Sequence, residues 1–384
     1  MKVINRIIES QITNLLDSNK VILILGTRRV GKTFLINSIQ NNYHSKLLFL
    51  NGEDFDVQEI IKNRSTSNYK RLVGDNKLII IDEAQSIPEI GMALKLLIDT
   101  NPNLTVIATG SSSLDLMNKT GEPLTGRHYQ FNLYPISQME LMPTENFLET
   151  KQNLEERLIF GSYPELINLV SNDDKRNYLQ QLVQSYLLKD ILSFGGIKHS
   201  DKIISLLRLI AYQVGSEVSY NELGTQLGLS RLTVESYLDL LSKVFIIYKL
   251  PSYSTNQRKE VTKSSKWYFF DNGIRNAIIN DFRIPALRND VGNLWENYLV
   301  SERIKSNKYL NKTKVHYFWR NYNQQEIDLI EVRDGMIATF EFKYSGDKKI
   351  KQPLSFKTLY PESTFECINK DNYLDFVIGN NVES

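Results

Sequence analysis

The sequence predicts an α/β protein: a parallel sheet covered by helices on both faces, then a helical stretch, then smaller units of mixed structure. Three observations predict it. Short, strongly apolar runs at 21–25, 46–51, 77–81 and 104–109 alternate with helical patterns. These runs lead into glycine, acidic or serine-rich clusters, as strands do when a ligand sits at their carboxyl ends. After about Pro143 such runs stop and helical periodicity takes over.

The totals narrow the classes. A chain of 384 residues is long enough for two or three domains, each with its own core. Its 46 basic and 44 acidic side chains leave a net charge of +2, so no global field demands a nucleic-acid or membrane partner. The single cysteine, Cys367, excludes an intramolecular disulfide framework and fits a reducing compartment. Residues 1–16 form an amphipathic helix pattern without the apolar core of a signal peptide. No stretch approaches the roughly 20 apolar residues of a membrane span. The expectation is a soluble cytoplasmic protein with no membrane partner.

Along the chain, a lead-in helix is expected over 1–20 and a doubly buried strand over 21–25. Gly26, four residues and Gly31-Lys32-Thr33 follow, and a helical pattern runs to about Tyr43. Strand before and helix after is the context a phosphate-binding loop requires. Glycines let backbone N–H groups close on an anion, and the new helix adds its positive dipole end. Gly26, Thr27, Arg28, Arg29, Val30, Gly31, Lys32, Thr33 and Phe34 are the candidate nucleotide contacts. Lys32 is placed for the β- and γ-phosphates, and Thr33 for Mg²⁺. A nucleoside triphosphate is the expected ligand.

The strand at 77–81 runs into Asp82-Glu83-Ala84-Gln85, and a helix at 92–99 precedes the strand at 104–109. Asp82 is expected to hold Mg²⁺ through water, and Glu83 to orient the attacking water. The alternative is an acidic helix N-terminus. Thr109 and Ser111 either sense the γ-phosphate or cap the next helix. Arg127, in Leu124-Thr125-Gly126-Arg127, is either an arginine finger or a solvated loop arginine.

Residues 144–215 read as helices interrupted at 161–164 and at Gly195-Gly196. A helix over 220–227, a turn at Gly228 and a second helix from Ser230 fit helix-turn-helix spacing. Strands at 244–250 and 266–271 would then be joined by a basic loop, as in a wing. Arg231, Thr233, Glu235, Ser236 and Asp239 line the exposed face of the second helix, where two acids weaken attraction to phosphate. Arg258, Lys259, Lys263 and Lys266 suit a phosphate backbone better, or else form a solvated hairpin tip.

Near the C-terminus, Asp334-Gly335 is a two-residue hairpin turn. Counting back places Arg333 opposite Met336, Asp328 opposite Glu341 and Glu326 opposite Lys343, all four acids and bases on one face. Ile327, Leu329, Phe340 and Phe342 fill the other. Opposed carboxylates repel unless a cation sits between them. A divalent metal would supply it, with Lys343 stabilising an oxyanion. The alternative is a charged solvent face with an ordinary Glu326–Lys343 pair. Glu296, on a helix starting near Gly292, is a further carboxylate or a solvated one.

Taken together, GTRRVGKT, LIIIDEAQ, VIATGSSS, LTGR with FNLYPIS, GSYPEL, YLLKDI, WYFFDNGIR, GNLWENYLVSER and FWRNYNQQEIDLIEV…FEFK resemble the bacterial and archaeal AAA-like ATPases. Those proteins carry a winged helix and a C-terminal PD-(D/E)xK nuclease-like domain. The resemblance implies a P-loop ATPase core over 1–143, a helical lid over 144–215, a winged helix over 216–285 and the nuclease-like domain over 286–384. It implies ATP as the nucleotide, Arg127 as the finger, and Glu296, Asp328, Glu341 and Lys343 as nuclease positions, the three acids binding metal. The proline before the first-strand acid is absent. Two functions follow: an ATPase whose cycle controls DNA binding or cleavage, or an ATP-dependent switch that binds protein through an inactive nuclease-like fold. A metabolic kinase fits less well, because the Asp-Glu pair suits activated water better than an acceptor hydroxyl. Oligomeric state, and whether Arg127 serves its own or a neighbour's nucleotide, stay open.

Overall fold

The computed structural model describes residues 3–111, 124–187, 200–254, 265–346 and 350–379. The chain forms two compact units. One comprises Val3–Tyr134 with Lys243–Phe245; the other comprises Pro135–Ser242 and the residues from Ile246 onward.

The first unit is a five-stranded, wholly parallel sheet. Its strands are β1 (Val21–Leu25), β2 (Leu47–Asn51), β3 (Leu78–Asp82), β4 (Thr105–Gly110) and β5 (His128–Asn132), in the order β2-β3-β4-β1-β5. β1, β3 and β4 are buried at every residue, which is why they read as unbroken apolar runs. The strand at 128–132 was not expected from the sequence. β5 is an edge strand, mostly half-buried, and its HYQFN sequence lacks both alternation and an apolar run. The lead-in helix is also shorter than expected, at Ile7–Thr13. Helices Lys32–Asn42, Phe55–Lys62, Thr66–Val73 and Ile90–Thr100 complete the unit. Leu94 and Leu97 of the last pack with Leu23, Ile79 and Ile81 in one core cluster.

In the second unit, helices Phe147–Phe160, Asn172–Gln181 and Ser200–Tyr212 precede a helix-turn-helix. Gly195-Gly196, the basic-loop residues Arg258, Lys259 and Lys263, and Ser112 and Ser113 lie outside the described residues. The turn forms as read: Gly228 adopts φ +64° after helix Tyr220–Leu227, and the Ser230 hydroxyl accepts from the Thr233 amide at 3.1 Å to start helix Arg231–Lys243. Strands β6 (Glu217–Val218), β7 (Ile247–Pro251) and β8 (Ser265–Phe269) form an antiparallel sheet in the order β6-β8-β7.

Helix Val291–Tyr309 leads into a four-stranded mixed sheet of β9 (Val315–Arg320), β10 (Glu326–Arg333), β11 (Met336–Phe342) and β12 (Thr364–Ile368), ordered β12-β11-β10-β9. Asp334 and Gly335 both take positive φ, +51° and +83°, as a tight Asp-Gly hairpin needs. Arg333 pairs with Met336 as expected, and the register holds through Leu329–Phe340.

The expected faces of that hairpin need correction. The β9–β10 register shifts between Ile327 and Ile330, and Ile327 packs with Ile330, Trp319 and Phe356 in one cluster. Strict alternation therefore breaks at Asp328, and Ile327 does not share a face with Leu329 as counting implied. Such an irregularity re-aims side chains, and counting from the turn cannot see it.

Candidate active site

The phosphate loop leaves β1 at Gly26. A Cβ there would stand 2.2 Å from the Leu133 carbonyl oxygen, so the close approach of β5 and its exit demands glycine. Arg29 and Gly31 both take positive φ, +65° and +96°, and Gly31 opens helix Lys32–Asn42. Lys32 is buried, and its ammonium donates to the carbonyls of Gly26 at 2.9 Å and Thr27 at 3.2 Å. Thr27 and Val30 are buried beneath the loop, whereas Arg29, Thr33 and Phe34 are exposed.

The carboxyl ends of β1, β3 and β4 lie side by side, and side chains from β4 and from the phosphate-loop helix meet at Asp82. The Thr33 hydroxyl donates to Asp82 Oδ2 at 3.0 Å, and the Thr109 hydroxyl donates to Asp82 Oδ1. Thr109 Oγ1 also accepts from the Glu83 amide at 3.0 Å. Thr109 thus braces the Asp82-Glu83 corner from the neighbouring strand. Ser111 is buried at the end of the same strand.

Three residues around this centre were not singled out from the sequence. Gln85 donates through Nε2 to Glu83 Oε2, orienting that carboxylate. Gly52 donates its amide to the Asp82 carbonyl at 2.7 Å, and a Cβ on it would lie 2.5 Å from the Glu83 carbonyl oxygen. Buried Arg6 donates to the carbonyls of Val30 at 2.7 Å and Tyr134 at 2.6 Å, tying the loop to the exit of β5. The glycine after β2 was a legible signal for the second. An arginine amid an amphipathic helix pattern gave none.

Arg127 stands beside the start of β1, at the opposite end of that strand from the phosphate loop. It immediately precedes β5, whose first residue pairs with Val21 at the start of β1. The phosphate loop leaves the other end of β1, five residues on, or about 16 Å at roughly 3.3 Å per residue. Arg127 instead pairs with Asp99 at 2.7 Å, both partly exposed.

The C-terminal carboxylates come together differently from expectation. Glu296, on helix Val291–Tyr309, accepts from Lys266 at 3.0 Å and from the Tyr268 hydroxyl at 2.5 Å, both on β8. Asn297 holds β8 in place by exchanging two hydrogen bonds with the Phe269 main chain, at 2.7 and 3.1 Å. Glu326 pairs with Lys266 at 2.5 Å, not with Lys343. Lys343 pairs with Glu341 at 2.8 Å, and its amide continues the β11–β12 ladder. Asp328 accepts the Phe342 amide at 2.8 Å. Burial, with Glu296 and Glu341 nearby, raises the Asp328 carboxyl well above the usual range.

Lys266 is itself a correction. Expected in a basic loop, either against a phosphate backbone or solvated, it is buried on β8. Burial pulls its pKa down, but the charges of Glu296, Asp328 and Glu326 outweigh that and raise it. Among the described residues, no group of three His, Cys, Asp or Glu side chains is gathered to hold a metal ion. Glu331, further along β10, sits in a separate buried network with Arg303, at 2.7 and 2.8 Å, and Lys314, at 2.9 Å.

With this geometry in hand, the chain can be set beside known proteins. Residues 18–142 match the AAA domain. The N-terminal part of the chain is AAA-like. Residues 151–283 and 291–380 match two domains of unknown function, DUF8612 and DUF4143. An uncharacterized protein of Haemophilus influenzae is 24% identical over 400 residues, covering 96% of this chain and 91% of its own length. An uncharacterized protein of Methanocaldococcus jannaschii is 25% identical over 348 residues, covering 86% of this chain and 75% of its own. The RuvB Holliday junction branch migration motor of Thermotoga maritima is similar at 16% identity and a TM-score of 0.32, over 65% of this chain and 90% of its own. That superposition is too loose to bear on function. Among the described residues no helix is long and apolar enough to cross a membrane.

Proposed function

We propose that this chain binds and hydrolyses ATP with Mg²⁺ at the carboxyl edge of its parallel sheet. The observation that supports this most is the convergence on Asp82 of hydroxyls from the phosphate-loop helix and from β4. A hydroxyl and a carboxylate 3.0 Å apart are the oxygen donors Mg²⁺ prefers, so Thr33 and Asp82 fit that ion. Bound there, Mg²⁺ supplies neutralisation of phosphate charge. Lys32 exchanges its loop carbonyls for phosphate oxygens, and the loop amides and helix N-terminus receive the rest. Glu83, fixed by Gln85 and by its own amide on Thr109, orients the attacking water.

The test is Mg²⁺-dependent ATP turnover beside fluorescent-nucleotide binding. Lys32→Ala should lose both, since the loop then lacks its ammonium contact to the terminal phosphates. Unchanged turnover in that variant would sink the assignment.

What the cycle drives divides into two proposals. In one, a winged helix over 216–285 and a nuclease-like domain over 286–384 bind or cleave DNA under nucleotide control. In the other, the same parts form an ATP-dependent switch for a protein partner, without cleavage. Burial of Lys266 among the carboxylates favours the second, because it removes a cation from the DNA-facing set and neutralises Glu296, one of the three acids expected to bind metal. Loss of DNA cleavage in Asp328→Ala and Lys343→Ala, against a cleaving wild type, would restore the first.

A further inference from the structure

Lys266 brings a positive charge to a place where nothing solvates it. Its side chain is 2% exposed, and its ammonium lies 5.4 Å from the centre of the Phe318 ring. A buried ammonium persists only when paired and hydrogen-bonded. Here it is paired twice, with Glu296 at 3.0 Å and Glu326 at 2.5 Å. These partners come from different elements, a helix and β10, while Lys266 itself belongs to β8.

The remaining acids also have donors from the chain. Glu341 accepts from Lys343, Asp328 from the Phe342 amide, and Glu296 from Tyr268 as well as Lys266. Mg²⁺ requires near-octahedral oxygens at about 2.0–2.1 Å. To enter, it would have to strip these donors and sit beside an ammonium, where repulsion in a desolvated site is strong. The donor set is chemically suitable for Mg²⁺, but its arrangement does not fit one.

We propose that Lys266, paired with Glu296 and Glu326, is the resident cation of this cluster in place of a divalent metal. The cluster is a metal-free clamp: one ammonium pins β8 to helix Val291–Tyr309 and to β10. This deepens the switch reading and is independent of ATP hydrolysis.

The experiment titrates the nucleotide-free full chain with Mn²⁺, reading free ion by electron paramagnetic resonance. Wild type, Asp328→Asn and Glu341→Gln should give superimposable isotherms. Lys266→Met, checked for folding by circular dichroism, should gain one Mn²⁺ per chain, and adding Glu341→Gln should remove it. A wild-type Mn²⁺ site that disappears in Asp328→Asn or Glu341→Gln would overturn the proposal. So would a folded Lys266→Met protein that gains no site. Should Lys266→Met fail to fold, the comparison of wild type with the two acid variants decides alone. Mn²⁺ binding without DNA cleavage overturns the clamp and spares the switch; cleavage abolished by Asp328→Asn overturns both.

Discussion

The phosphate-loop centre and the C-terminal cluster each gather acids at the end of a sheet near a lysine, yet they neutralise those acids by opposite means. Asp82 meets two hydroxyls, from Thr33 and Thr109, while Lys32 bonds to neutral carbonyls. Glu296 and Glu326 share the ammonium of Lys266. Neutral donors orient a carboxylate without cancelling its charge, so on the proposed reading Asp82 keeps an attraction for a cation that arrives with nucleotide. An ammonium cancels that attraction in advance. On the two proposals, the same residue types make a receptive site in one unit and a closed one in the other.

The largest effect that tests this contrast lies at Glu83. Glu83→Gln keeps the hydrogen-bonding shape but removes the charge proposed to activate water. Turnover should fall by about 10²–10⁴ with nucleotide affinity retained, the span expected when a positioned base is lost. Normal turnover would move the water-activating role to another residue. A matching loss of affinity would mean Glu83 holds nucleotide instead.

A smaller effect, on stability, separates two kinds of buried carboxyl within the second unit. Burial alone would raise the Glu331 pKa, but hydrogen bonds from His316 and Arg303 outweigh it and hold it well below its usual value. Glu331 therefore contributes stability that is fully present above the unfolded-state pKa and is lost as pH falls towards the folded one. Glu331→Gln, which leaves buried Arg303 without its counter-charge, should cost on the order of 3–5 kcal/mol at neutral pH. Urea unfolding at pH 7 and pH 4 should show the difference shrinking in acid.

Legibility in the sequence followed the range of the forces involved. The apolar strands β1, β3 and β4 were readable because each is buried on both faces. The phosphate loop and the Asp-Gly turn were readable because glycine conformation is a local matter. Edge strand β5 was not, since its half-buried side chains follow neither period. Lys266 looked like one basic residue in a basic stretch. Its burial depends on Glu296 and Glu326, 30 and 60 positions away, and no local pattern encodes that meeting. The place of Arg127 beside the start of β1 was not legible either, because it follows from the parallel pairing of β5 with β1.

Asp328 supplies the subtlest test, because its sign is opposite to that of Glu331. Burial, then Glu296 and Glu341, raise its folded-state pKa well above the usual carboxyl value despite Lys266 nearby. The folded protein thus holds a proton that the unfolded chain gives up, and stability falls as pH rises from the unfolded-state pKa towards the folded one. Asp328→Asn cannot ionise, and its amide oxygen still accepts from the Phe342 amide. The variant should match wild type near pH 3.5, below the ordinary aspartate pKa of about 3.9, and become the more stable of the two at neutral pH. Paired urea titrations across that range give the sign directly. A variant less stable than wild type at pH 7 would mean that Asp328 is ionised against Lys266, and the clamp would then hold three carboxylates instead of two.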